Sequence, residues 1–218
     1  MGRDKKTEPK TVVEKLQNRS SSIPKFICNG VDKYFVYGVV KAFGGLAYER
    51  KYLKGEWFEH VWSPGWRWAF NGMFAKLFAG KNRGIPWPCS SQGFFGPNID
   101  FHVDDINTFQ GPVYFQTWED ARISLGRGVW IARGCAIITA NHDLANPDEH
   151  LEAQDVVIGD HCWLGANVVV MPGVVLGPHT VVGANAVVTK SFPDGYCVIA
   201  GAPAKVIKQI DDCVRDED

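Results

Sequence analysis

Residues 158–193 read IGDHCW LGANVV VMPGVV LGPHTV VGANAV VTKSFP when divided into sixes. Ile158, Leu164, Val170, Leu176, Val182 and Val188 open the blocks, so an apolar residue returns at every sixth position. An α-helix turns once in about 3.6 residues, and a period of six drifts off any one of its faces. A strand can hold that period. Side chains two apart share a face of a strand, and the fifth residue of each block lies two before the first of the next. Those fifth residues are Cys162, Val168, Val174, Thr180 and Ala186, all small or β-branched. Gly159, Gly165, Gly177 and Gly183 take the second place. The pattern predicts a short strand followed by a glycine-assisted turn, repeated. One such strand cannot bury its inner side, but turns stacked into a coil can.

The same phase runs upstream through Leu125, Ile131 and Ile137, with Ile123, Val129 and Cys135 as their inward partners. From Ile137 to Ile158 the interval is 21 residues (158 − 137), which is not a multiple of six. The interruption is the polar stretch TANHDLANPDEH, residues 139–150, and it predicts a loop extruded over about 139–155. A wound core gains nothing from a polar excursion, and long loops on a regular scaffold often carry function. Two histidines lie in this one. Histidine is the side chain whose ordinary pKa suits a base near neutrality. His142 and His150 are therefore both candidate bases. Asp143, Glu149, Glu152, Asp155 or a backbone carbonyl could orient such a base through its second nitrogen.

The blocks, the loop with ITANHD, the run CWLGAN and the closing segment AVVTKSFPDGYCVIAGAPAKVIKQI occur in that order. Over roughly residues 110–210 they resemble the hexapeptide-repeat acyltransferases, in particular their galactoside/maltose O-acetyltransferase-like branch. The resemblance implies a left-handed parallel β-helix with three blocks per turn. It also implies a homotrimer, with acetyl-CoA held in clefts between subunits as co-substrate and no metal required. His142 would be the general base, and the acceptor would attack the thioester directly. Glu119 and Asp120 match an acidic pair that binds acceptor hydroxyls, and Trp163 an aromatic wall beside them. Ala166, Ala184, Thr189, Lys190, Lys205 and Lys208 match coenzyme A positions, although the family often has Arg at the last two. Pro112 departs from the sugar-acetylating branch, which has Asn there. The expected function is O-acetylation of a carbohydrate hydroxyl in polysaccharide or glycan biosynthesis. N-acetylation of an aminosugar or amino acid, a zinc carbonic anhydrase-like site and a non-catalytic coil remain as alternatives.

Three blocks per turn place residues 18 apart above one another, at the inter-strand spacing of about 5 Å. Asn167 then lies under Asn185, an asparagine ladder at a corner tolerant of positive φ, and His161 lies under His179. A zinc site of the carbonic anhydrase kind needs three histidines, and only these two fall in register. The outward positions Trp163, Val169, Val175, Val181 and Val187 are nearly all apolar, so subunit contacts or the terminal segments are expected to cover them, which independently supports oligomerisation.

Residues 1–90 do not follow the period and are expected to form a partly helical extension, ahead of a coil over 91–210 and a tail over 211–218. In WSPGWRWAFNGMFAKLFAGK, residues Trp66, Phe70, Met73, Phe74, Leu77 and Phe78 make a helical stripe. Ser63 and Pro64 suit its start and Gly80 its end. The stripe would pack on the coil or a neighbouring subunit, or else lie on a membrane through residues 63–80. The 23 basic and 24 acidic residues argue against broad nucleic-acid binding. The six cysteines are scattered without a CxxC pair, and the charged start lacks the apolar core of a signal peptide. A cytoplasmic setting is expected, at the inner face of the membrane if the helix docks there.

Overall fold

The computed structural model describes residues 31–210. Residues 1–30 of the extension and the 211–218 tail, with Cys28 and Cys213, lie outside the described residues. From Phe94 onward the chain winds through three sheets. The first stacks β1 (Phe94–Phe95), β3 (Tyr114–Gln116), β6 (Ala136–Ile138), β9 (Val169–Val170) and β12 (Val187–Val188). The second stacks β2 (Ile99–Asp100), β4 (Ile123–Leu125), β7 (Val156–Ile158) and β10 (Val175–Leu176). The third stacks β5 (Trp130–Ile131), β8 (Trp163–Leu164), β11 (Val181–Val182) and β13 (Cys197–Ala200). All these pairs are parallel, and β14 (Lys205–Gln209) closes the third sheet by folding back antiparallel on β13.

Register fixes the coil. Trp163 pairs with Val181 and Val169 with Val187, 18 residues apart (181 − 163, 187 − 169). Across the interruption Ile123 pairs with Val156 and Trp130 with Trp163, 33 apart (156 − 123, 163 − 130). The difference, 33 − 18 = 15 residues, is the length extruded without disturbing the winding. The lower turns are less regular, and a 3-10 segment over Val103–Gln110 is looped out between β2 and β3.

The predicted inward residues fill the interior. Ile123, Ile137, Leu164, Val168, Val170 and Ala186 are fully buried. Burying one Val, Leu or Ile is worth about 1.5–3 kcal/mol, so the stack supplies the stability no single strand could. Thr180 and two thiols manage their polarity locally. Thr180 Oγ1 donates to Gly177 O at 2.7 Å, Cys162 Sγ to the same carbonyl at 3.2 Å, and Cys135 Sγ to Gly165 O at 3.1 Å. Burial pushes the Cys162 thiol up to about 11.

In five of the six blocks the left-handed backbone falls on the fourth residue, and the second-place glycines lie outside that region. His161, Asn167, His179 and Asn185 have φ of 53°, 59°, 54° and 59°. Asn tolerates this region because its short side chain bonds locally, and Asn167 Nδ2 donates to Asn185 Oδ1 at 3.2 Å. His161 and His179 stack with ring centroids 4.9 Å apart, and Tyr196 continues the stack at 4.9 Å. The second-place glycines serve close approach instead. A Cβ on Gly165 would stand 2.8 Å from Ala184 N of the next turn.

The amino-terminal part packs α1 (Val31–Phe43) against α2 (Pro64–Ala79). Gly80 ends α2 in the left-handed region at φ 69°. Ser63 stands at the start, but its Oγ accepts from His60 N–H rather than capping the helix. The predicted stripe divides. Trp66 and Met73 are buried, whereas Phe74, Leu77 and Phe78 are exposed, Phe78 at 78 %. The buried face runs through Trp66, Ala69, Gly72, Met73 and Lys76, because small residues and one lysine admit close packing. Lys76 Nζ donates to Ala47 O and Ile85 O, tying α2 to the two flanking connections.

Candidate active site

The extruded loop leaves the edge where the first sheet gives way to the second. Its neck is anchored to the turn below. Thr139, fully buried, accepts through Oγ1 from Trp118 N–H at 2.9 Å, and its carbonyl accepts from Gln154 N–H at 2.7 Å. Beyond the neck the loop is a short antiparallel ribbon. Asp143 N–H donates to Glu149 O at 2.9 Å and Leu151 N–H to Asn141 O at 2.8 Å, with His142 facing His150 between them. The imidazoles lie 4.2 Å apart at 38°. The Trp118 indole stacks on His150 at 4.0 Å and 16°. His150 is half-buried beside these rings, while His142 is exposed.

Asp143 and Asp155, two carboxylates that could orient His142, bind backbone instead. Asp143 Oδ1 accepts from Ala145 and Asn146 N–H groups at 2.6 and 3.2 Å, closing the loop tip. Asp155 Oδ1 accepts from Arg122 N–H at 2.8 Å. Glu119 and Asp120 follow Trp118 directly at the foot of the loop, both exposed. Glu119 has φ 51°, and its carbonyl accepts from Asn98 Nδ2 at 2.9 Å.

The other sequence-predicted residues fall into groups set by the winding. Thr189 and Lys190 follow β12, so they stand on the same edge as the loop. Lys190 Nζ lies 5.5 Å from the Phe192 ring centroid. Ala166 and Ala184 stand on a different edge, between the third and first sheets, one above the other. Both are exposed, and Asn185 N–H donates to Ala166 O at 2.8 Å. Lys205 and Lys208 lie on β14, paired with Ala200 and Val198. Trp163 points out of the third sheet, 56 % exposed, between Trp130 and Val181. Thus the chain gathers His142, Glu119, Asp120, Thr189 and Lys190 along one edge, and Ala166 and Ala184 along another.

Chemically, the loop edge offers an accessible imidazole, a stacked aromatic support and two carboxylates suited to hydroxyl groups. The sequence reading missed Trp118. Its signal was an aromatic residue immediately before the acidic pair, but nothing in the spacing showed that it would meet a loop more than twenty positions later.

The bacterial transferase hexapeptide (six repeats) family model matches residues 155–190. The three-sided coil is the left-handed parallel β-helix built by that repeat, so the chain is mainly β with an α-containing amino-terminal part. Among solved structures, the chain is similar to the polysialic acid O-acetyltransferase OatWY, with 37 % identity over 46 % of this chain and 48 % of that one, TM-score 0.39. It is similar to a hexapeptide-repeat acetyltransferase from Vibrio cholerae O1 biovar eltor, complexed with acetyl coenzyme A, at 32 % identity over 46 % and 55 %, TM-score 0.42. It is also similar to AntD, an N-acyltransferase from Bacillus cereus, at 21 % identity over 49 % and 61 %, TM-score 0.44. The match thus spans between 48 % and 61 % of the length of these proteins. No curated protein matches the chain.

Proposed function

Taking as premise the hexapeptide repeat of bacterial transferases that this chain carries, we propose that it is an acetyl-CoA-dependent O-acetyltransferase acting on a carbohydrate hydroxyl. The observation that carries this reading is the loop. Fifteen residues leave the winding between β6 and β7 and carry an exposed imidazole on the edge that also bears two exposed carboxylates (33 − 18 = 15). In the proposed reaction neutral His142 accepts the proton of the acceptor hydroxyl as its oxygen attacks the thioester carbonyl carbon. The tetrahedral intermediate collapses with cleavage of the C–S bond, forming the acetyl ester. The departing thiolate takes the proton back from the imidazolium and leaves as coenzyme A. Glu119 and Asp120 bind the neighbouring hydroxyls of the sugar.

Coenzyme A is assigned to Ala166, Ala184, Thr189, Lys190, Lys205 and Lys208. These residues lie on separate edges of one chain, so the proposal includes a homotrimer in which a cleft between copies joins complementary edges. The exposed apolar face of the third sheet, Trp130 and Trp163 at 60 % and 56 %, supports burial against such a neighbour. The test is thiol release from acetyl-CoA with a panel of sugars, nucleotide sugars, aminosugars and lipid-linked glycans. Turnover with a hydroxyl acceptor, lost in His142→Ala while coenzyme A still binds, supports the reading. Acetylation of the amine alone refutes O-transfer, and full turnover in His142→Ala refutes the base.

The role proposed in polysaccharide or glycan biosynthesis includes a cytoplasmic location at the inner membrane face. The membrane contact alone is supported by the exposure of Phe74, Leu77 and Phe78 on α2 and of Tyr34 and Phe35 on α1. No helix among the described residues is long and apolar enough to cross a membrane. Co-sedimentation with anionic vesicles, lost in Phe74→Ser/Phe78→Ser, is the expected result. Equal sedimentation of that variant refutes docking through α2.

A further inference from the structure

We propose that His150 and Trp118 are positioning residues for His142, holding its imidazole by a run of ring contacts rather than through a carboxylate. The inference rests on the assignment of His142 as base. Its geometric origin is the register of the loop ribbon. The two N–H···O bonds that bracket the pair, Asp143 to Glu149 and Leu151 to Asn141, make His142 and His150 a non-hydrogen-bonded antiparallel pair. At such a position the Cα atoms approach to about 4.5 Å and the side chains leave the same face. The rings therefore meet, with centroids 4.2 Å apart.

Two imidazoles on a loop would not by themselves fix a base. Trp118 supplies the rigid end. Its indole lies flat on His150, 4.0 Å away, and its own backbone is pinned to the buried Thr139 hydroxyl. The order from scaffold to reacting group is coil, Trp118, His150, His142. Each ring offers the next a flat surface, so the tilt of the last is set by the first. One face of His142 is covered by His150, and the residue remains exposed to an arriving hydroxyl. One carboxylate oxygen of Asp143 and one of Asp155 accept from backbone N–H groups, which fixes both side chains on the backbone. What matters at position 150 is a flat ring and not a titrating nitrogen.

The test compares full-length His150→Ala, His150→Phe, Trp118→Ala and Trp118→Phe with the unmodified chain and with His142→Ala. Thiol release from acetyl-CoA is followed with the hydroxyl acceptor that the panel identifies, and coenzyme A binding is measured by calorimetry. A displaced base costs roughly 10- to 100-fold in kcat, the scale of a misplacement near 1 Å. The Ala variants should show that loss with KM for acetyl-CoA and coenzyme A affinity unchanged. The Phe variants should recover most of the rate. Full kcat in the Ala variants overturns the proposal, as does a loss carried by KM. Phe variants as impaired as Ala also overturn it, since position 150 would then act through its nitrogens. If His142→Ala is inactive while the stack variants are normal, only the positioning role fails. If His142→Ala is fully active, the base assignment fails first.

Discussion

Replacing Gly177 with Ala tests whether the turns of the coil are stacked as closely as the structure shows. An added Cβ would lie 2.1 Å from Pro193 O, 2.5 Å from Gly195 N and 2.7 Å from Pro193 C, all backbone of the next turn. Comfortable C···O contact begins near about 3.3 Å, so the turn must move by about 1.2 Å. The φ of Gly177 lies outside the left-handed region, so the cost is contact and not conformation. Overpacking of this kind costs about 1–3 kcal/mol. The displaced turn also bears on two N–H···O bonds, Gly177 to Phe192 at 2.9 Å and Tyr196 to Pro178 at 2.8 Å. Weakening both adds up to about 1 kcal/mol each. A total of about 1–5 kcal/mol is a large part of the 5–15 kcal/mol that holds a typical domain together. Gly38 in α1 is the control, because its added Cβ meets nothing within 4 Å. There the same substitution should stabilise by up to about 1 kcal/mol through helix propensity. Urea denaturation followed by circular dichroism should move the two midpoints in opposite directions. A Gly177→Ala midpoint at or above that of the unmodified chain would refute the stacking argument.

Lys76→Met should lower stability by about 1–3 kcal/mol, because Ala47 O and Ile85 O lose their shared buried donor; an unchanged melting temperature would contradict the tie. The Cys162 thiol, raised by burial from 9.0 to about 11, gives a pH signature. Between those values the unfolded chain releases this proton first, so stability should fall as pH rises from 9 towards 11, and Cys162→Ala should show a shallower fall in alkaline urea titrations. Asn185→Ala should cost about 1–2 kcal/mol because its φ of 59° is unfavourable for a Cβ without a bonding side chain, whereas Asn185→Gly should cost less. Equal losses would show that the hydrogen bond to Asn167, and not the backbone, matters. Trp163→Glu should reduce the particle mass in analytical ultracentrifugation, and an unchanged mass would mean that the third sheet is not the subunit face.

The winding was legible because every block repeats the same spacing: Leu164, Val170, Leu176 and Val182 each report the same inward face, and one misread position would not shift the rest. The corner chemistry was less so. Asn167 and Asn185 pointed to positive φ through their locally bonding side chains, whereas the two histidines in the same place, although also enriched there, carry a weaker signal. The helix over Pro64–Ala79 could be bounded from Pro64 and Gly80. Its buried face could not, because Phe74 and Phe78 are as apolar as Trp66, and burial depends on what α1 and the connections bring against it. The loop was visible as a break in register. Its internal order was not, because the pairing of His142 with His150 follows from two backbone hydrogen bonds, and the contact with Trp118 from the stacking of separate turns.

The most direct test of the central claim is a crystal structure of the full chain with coenzyme A bound. The account predicts the thiol beside the His142 imidazole, in a crevice lined by the loop of one chain and by Ala166 and Ala184 of another. A thiol lying away from the loop, or a coenzyme held within one chain far from His142, would contradict it.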